Sequence, residues 1–138
     1  MVNNTILYNS SSASILYMKK REYMYLAIEG YVNTATLSEF SKALLNGVIY
    51  NHVKKILFDT SQVNIIKNED IQWIRKNILP FLVKNGVSRV AFIKPQNAFG
   101  NLSIEALAKI MNEKFDAQIF QTMQPAEEWL FQDKNSFL

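Results

Sequence analysis

The chain has 138 residues, 49% of them hydrophobic and 20% charged, with a net charge of +3, which is the size and composition of one globular domain and excludes a disordered or fibrous class. It contains no cysteine and a single histidine, so disulfides, thiol nucleophiles, thiolate metal centres and multi-histidine metal clusters are excluded together. The basic excess lies in small scattered groups, chiefly Lys19-Lys20-Arg21 and Lys54-Lys55, without the basic stripe and interleaved aromatics that nucleic acid requires.

No apolar run approaches the ~18 residues of a spanning helix. The opening Met-Val-Asn-Asn lacks the basic and apolar regions of a signal peptide. These features lead to the expectation of a cytoplasmic protein with no membrane span, no metal, no cofactor and no nucleic-acid partner.

Residues 5–8 (TILY) and 14–18 (SILYM) are β-branched and aromatic runs around a serine-rich turn, which predicts a hairpin. Residues 23–29 (YMYLAIE) are too apolar for a one-sided strand and belong inside a sheet, with Gly30 ending the strand or marking a bulge. Thr36 and Glu39 have the spacing of a capping box, which predicts a helix start. Leu37, Phe40, Leu44 and Val48 follow on one helical face; Asn46-Gly47 weakens the last turns and Asn51-His52 ends the helix. His52, beside Asn51, Lys54 and Lys55, reads as a solvated loop residue.

Residues 53–59 form the next predicted strand, with Ile56-Leu57-Phe58 suited to burial on both faces. A polar turn then runs to Asn68, and a second helix spans 69–84 with Ile71, Ile74, Ile78, Phe81 and Leu82 on one face and a bend or break at Pro80. Asn85-Gly86 stops it, and 89–94 (RVAFIK) is a buried strand. A third helix is predicted over 102–115, a short strand over 118–121, and a last helix opening at Pro125 and running through Leu130, with Trp129 and Leu130 inward. The order βββαβαβαβα implies one α/β domain over 1–138. Its mixed, mostly parallel sheet has five to six strands, an antiparallel N-terminal hairpin and four helices, and residues 133–138 form a frayed tail.

Chemical motifs are mostly missing. The four glycines at 30, 47, 86 and 100 write neither GxGxxG nor a P-loop, there is no Gly-x-Ser-x-Gly elbow, and His52 would be the only imidazole base. Asp59, at the carboxyl end of a strand, is the best placed carboxylate, although Asp59-Thr60-Ser61 is also ordinary turn chemistry. Asp59 and Glu69 form the one conceivable acid–base pair. Glu69 and Asp70 in a helix's first turn offset its dipole and discourage an anionic ligand there. Tyr31, Trp73 and Phe99 could converge on an apolar pocket, against the plainer reading of aromatics as core and sheet packing.

The element order and the segment ILFDTSQVNIIKNEDI resemble the STAS domain of bacterial anti-sigma factor antagonists, the SpoIIAA-like fold. Asp59, Val63, Ile65, Ile66 and Ile71 match that family's apolar frame and first aspartate. Lys67-Asn68-Glu69-Asp70 occupies the place of its Asp-Ser-Ser-Gly, so the phosphoacceptor serine is absent. The chain is similar, over about residues 20–132, to small bacterial STAS-like proteins compared with the CRAL-TRIO lipid carriers. The shared features are Ile28 to Val32, the Asp-Thr turn, Trp73, Gly86 to Ala91, Phe99-Gly100 and Glu127 to Leu130.

The resemblance implies a non-enzymatic regulatory module that binds a partner protein, or a second copy of itself, around Asp59, Ser61, Asn68, Glu69 and Asp70. In such a module Glu69 would stand as a fixed negative charge where a phosphate would sit. The alternative is a carrier of lipid or another small apolar ligand, with Tyr31, Trp73 and Phe99 at its pocket.

Overall fold

The computed structural model describes residues 4–31 and 33–132; the expected frayed tail at 133–138 lies outside the described residues. Among them the chain forms β1 (Thr5–Asn9), β2 (Ala13–Met18), β3 (Tyr23–Tyr31), α1 (Thr34–Asn51), β4 (Lys55–Ile65), α2 (Asn68–Asn77), α3 (Leu79–Lys84), β5 (Arg89–Ile93), α4 (Ala98–Met111), β6 (Asp116–Phe120) and α5 (Met123–Leu130). The six strands lie side by side in chain order. β1, β2 and β3 pair antiparallel and β3 to β6 parallel, which is the predicted α/β architecture.

Each parallel crossover steps the same way across the sheet, so right-handed connections put α1, α2, α3 and α4 on one face. There they bury Leu26, Ile56, Phe58, Val90 and Phe92 under Phe40, Leu44, Ile74, Leu82, Ile104 and Leu107. The rings of Phe40, Phe58 and Phe92 stack in series with centroids 6.3 and 5.7 Å apart. Among the described residues α5 is the one helix on the other face, where Tyr23, Leu57, Ala91 and Ile93 meet Ala126 and Leu130. β5 is therefore buried on both faces at all five positions, as its unbroken apolar run requires.

Several boundaries differ from expectation. α1 is capped by Asn33, whose side chain accepts the Thr36 amide at 2.8 Å, so Thr36 lies inside the first turn and is not the cap. Helix α1 continues through Gly47, where a Cβ would come within 2.7 Å of Leu7 and 2.8 Å of Met24; the glycine lets the helix press on the sheet. His52 ends α1 as an exposed left-handed cap (φ 54).

The predicted second helix breaks at Ile78 into α2 and α3, with Pro80 in the first turn of α3. Proline lacks the amide that would continue the earlier ladder and is at home in a first turn. α4 starts four residues before the predicted 102, because Asn97 caps it by accepting the Gly100 amide at 2.6 Å.

The largest correction concerns β4. The stretch after Asp59 is not a turn, since β4 runs on to Ile65 and pairs with β3 as far as Tyr31. The register slips between Ala27 and Glu29 and again between Gly30 and Tyr31, each time with one extra residue on β4. Two bulges thus carry the strand forward and re-aim its side chains, and Gly30 meets the second with φ 74, a value that favours glycine.

Candidate functional site

The extended β4 separates the candidate residues into two groups. Asp59 and Ser61 sit at the first bulge on the face opposite α1 to α4. The Asp59 Oδ1 accepts the Ser61 amide at 3.0 Å and the Ser61 hydroxyl at 2.7 Å, and Oδ2 accepts the Tyr25 hydroxyl at 2.9 Å. The residue between them, Thr60, is buried and donates its hydroxyl to the Ile93 carbonyl at 2.5 Å, which ties β4 to the end of β5. Burial, and then the bond to Asp59, pushes the Tyr25 phenol well above its usual range. Asp59 and Ser61, with Ser10, Ser12, Ser14 and Glu29, line an open polar cleft of about 320 Å³.

Asn68, Glu69 and Asp70 form the first turn of α2 at the far end of β4. Asp59 pairs with Ala27 and Ile65 with Tyr31, four steps apart on β3, which puts them roughly 13 Å apart along the sheet at about 3.3 Å per residue. With Asp59 also engaged by local donors, Asp59 and Glu69 do not make an acid–base pair. The N-cap of α2 is Lys67, which makes no side-chain cap bond. Asn68 and Glu69 are exposed, whereas Asp70 is buried. Burial, then the charge of Glu69, raises the Asp70 carboxyl above its ordinary value, and Lys67 opposes the rise.

Residues of α4 hold this junction in place, and sequence reasoning missed them. Ser103 bonds both the amide and the carbonyl of Ile66, at 3.0 and 3.1 Å. Asn97 donates to the Val63 carbonyl at 2.8 Å while capping α4. Gly100 allows the approach, since a Cβ there would stand 2.6 Å from the Val63 carbonyl oxygen. The asparagine three residues before Gly100 was the available signal, as an N-cap side chain ahead of an apolar helical period.

Among the described residues Tyr31, Trp73 and Phe99 do not converge on one enclosed pocket. Trp73 is half-buried against the main core. Tyr31 and Phe99 are 73% and 70% exposed, Tyr31 beside Ile65 in register and Phe99 in the first turn of α4, next to the 62%-exposed Leu102. Between the sheet and α1 to α4 there is an apolar cavity of about 40 Å³, bounded by Leu26, Phe40, Phe58, Ile74 and Leu107 among others. An apolar cavity of ~150 Å³ is what takes up benzene, so this space is far short of a lipid chain.

The sequence matches no protein-family model and gives no significant relative among curated proteins. Solved structures do match. An uncharacterized DUF3478-family protein from Shewanella loihica, described as having a SpoIIAA-like fold, superposes with TM-score 0.59 at 14% identity, covering 94% of this chain and 97% of that one. An anti-sigma factor antagonist from Mycobacterium paratuberculosis gives TM-score 0.58 at 12% identity, covering 91% and 100%. The anti-sigma factor antagonist SpoIIAA in its unphosphorylated form gives 0.53 at 8%, covering 91% and 94%. The six-stranded sheet, its antiparallel start and the helices over it are thus a SpoIIAA-like, STAS-like fold.

Proposed function

We propose that the protein is a non-enzymatic, STAS-like interaction module that docks a partner protein at the carboxyl ends of its parallel strands. The observation that carries this reading is the composition of that rim. The exposed, uncapped start of α2 with Asn68 and Glu69 lies at the same end of the sheet as exposed Tyr31, Ile65, Phe99 and Leu102. Large apolar side chains left in solvent with polar residues beside them are the composition of a protein-binding patch. Two residues first expected in a pocket, Tyr31 and Phe99, so join the expected docking group, while Asp59 and Ser61 face the separate polar cleft.

The fold likeness to anti-sigma factor antagonists supports a regulatory role. In the resembling family the start of this helix carries the phosphoacceptor; here Asn68 and Glu69 stand there, and Glu69 supplies a fixed negative charge. The small apolar cavity, about 40 Å³, gives no support to a lipid carrier.

The test is a photo-crosslinking residue placed at Phe99 in cells, followed by binding of the captured protein, purified, to wild type and to Phe99→Ser and Glu69→Lys variants. Direct binding that falls at least about tenfold in both variants supports the rim. Equal binding by wild type and variants overturns it. Incorporation of phosphate within residues 59–70 by a kinase of the host cell would overturn the fixed-charge part.

A further inference from the structure

The opposite end of the sheet has its own surface. The β2–β3 turn carries exposed Lys19, Lys20 and Arg21, and the entry to β4 carries exposed Lys54 and the half-buried Lys55. The strand pairings Met18 with Tyr23, Met24 with Ile56 and Lys55 with Arg89 put these segments side by side at the amino-terminal edge of the parallel strands. The Arg21 guanidinium lies 3.9 Å and the Lys55 ammonium 4.8 Å from the centroid of the same Phe131 ring, so cations approach one another here. Burial, then Arg89 and Arg21, lowers the Lys55 ammonium below its usual range.

Lys84 at the end of α3 and Lys114 after α4 come to this end too. Among the described residues the carboxylates nearby are Glu22 in the same turn, Asp116 at the start of β6, which has an interaction of its own, Glu127, which meets Tyr23, and Glu113, paired with Arg75 at 3.0 Å.

Apolar side chains stand exposed beside these cations. Tyr50 and Ile49, in the last turn of α1 just ahead of Lys54, are 84% and 49% exposed, and Val83 beside Lys84 is 39% exposed. A basic cluster next to projecting aliphatic and aromatic side chains has the chemistry of a peripheral membrane face, in which cations meet anionic headgroups and apolar groups enter the interface. Nucleic acid would use the cations and the tyrosine ring, but it gives exposed Ile49 and Val83 nothing to do.

We propose that the end of the sheet formed by Lys19, Lys20, Arg21, Lys54, Ile49 and Tyr50 rests on anionic lipid headgroups. In that orientation the rim around α2 points away from the bilayer and stays open to a partner. The two sites are at opposite ends, so each can fail without the other.

Co-sedimentation with vesicles of phosphatidylcholine, and of phosphatidylcholine with about one third phosphatidylserine, tests this on the full chain. Binding is expected to the anionic vesicles only and to weaken steeply with salt. Neutralising Lys19, Lys20 and Lys54 to glutamine should lower the partition coefficient about a hundredfold, roughly fivefold for each lysine. Tyr50→Ser should lower it about tenfold, and Lys76→Glu on the exposed face of α2 should leave it unchanged. All these side chains are exposed, and an unchanged melting curve confirms that the variants fold. No anionic preference, an equal loss in Lys76→Glu, or tighter binding to an oligonucleotide than to the vesicles would overturn the proposal.

Discussion

Ser103 on α4 accepts the amide of Ile66 and donates to the carbonyl of the same residue, closing both backbone groups of the β4–α2 junction with one hydroxyl. Both partners are buried, so neither backbone group has water as a substitute. Ser103→Ala should therefore cost about 2 kcal/mol and lower the melting temperature by about 5 °C. Amide exchange should quicken at Ile66 and the first turn of α2 more than in β5. A drop in stability without local loss of protection at Ile66 would show that the bond does not hold the junction.

Arg89 has the corresponding part at the other end of the sheet. Its guanidinium donates to the carbonyls of Trp129 at 2.7 Å and Gln132 at 2.8 Å, and reaches that of Leu130 at 3.4 Å. A buried cation thus closes the negative end of α5. Arg89→Met should cost about 3 kcal/mol and loosen α5. In a Trp73→Phe background, Trp129 emission should shift to the red. Unchanged emission would mean that the apolar face of α5 alone holds it.

Two glycines in helices should respond in opposite ways to alanine. At Gly100 the new Cβ meets a backbone oxygen, that of Val63, which cannot move without disturbing β4. Gly100→Ala should cost about 2 kcal/mol or more. At Gly47 the obstacles are the ends of the Leu7 and Met24 side chains, which can turn aside. Relief of the helix penalty of glycine, up to ~1 kcal/mol, offsets that strain and leaves Gly47→Ala within about 1 kcal/mol of wild type. Chemical denaturation of the two variants checks the order, and the reverse order would contradict this account.

Stability at alkaline pH should depend on Tyr23 and Tyr25. Burial, then the charge of Glu127, pushes Tyr23 up to about 12, and burial, then the bond to Asp59, raises Tyr25 further. The unfolded phenol titrates near ~10. A folded value above the unfolded one contributes stability that is complete below that point and is lost as pH climbs through the folded values. Urea denaturation between about pH 9 and 12 should show this decline in wild type and a shallower one in Tyr25→Phe. Parallel curves for the two proteins would refute it.

The local rules of the chain were sufficient for its architecture. Apolar runs at residues 23–29, 56–58 and 89–94 and the helical periods of Leu37 to Val48 and Ile71 to Leu82 recovered the alternation of strands and helices, and the proline at 80 marked the break between α2 and α3. These are properties of adjacent residues, and sequence spacing records them directly. Pairing over distance was not legible. Residues 60–65 look like turn chemistry alone, and only the ladder to Glu29, Gly30 and Tyr31 makes them strand. That ladder carries the end of β4 roughly 13 Å beyond Asp59 before α2 begins, dissolving the one conceivable acid–base pair. Which aromatics lie inside was likewise decided by tertiary packing, because α4 is anchored to Val63 and Ile66 by Asn97, Gly100 and Ser103. With Gly100, Ser103, Ile104 and Leu107 turned inward, the opposite side of the helix leaves Phe99 and Leu102 in solvent.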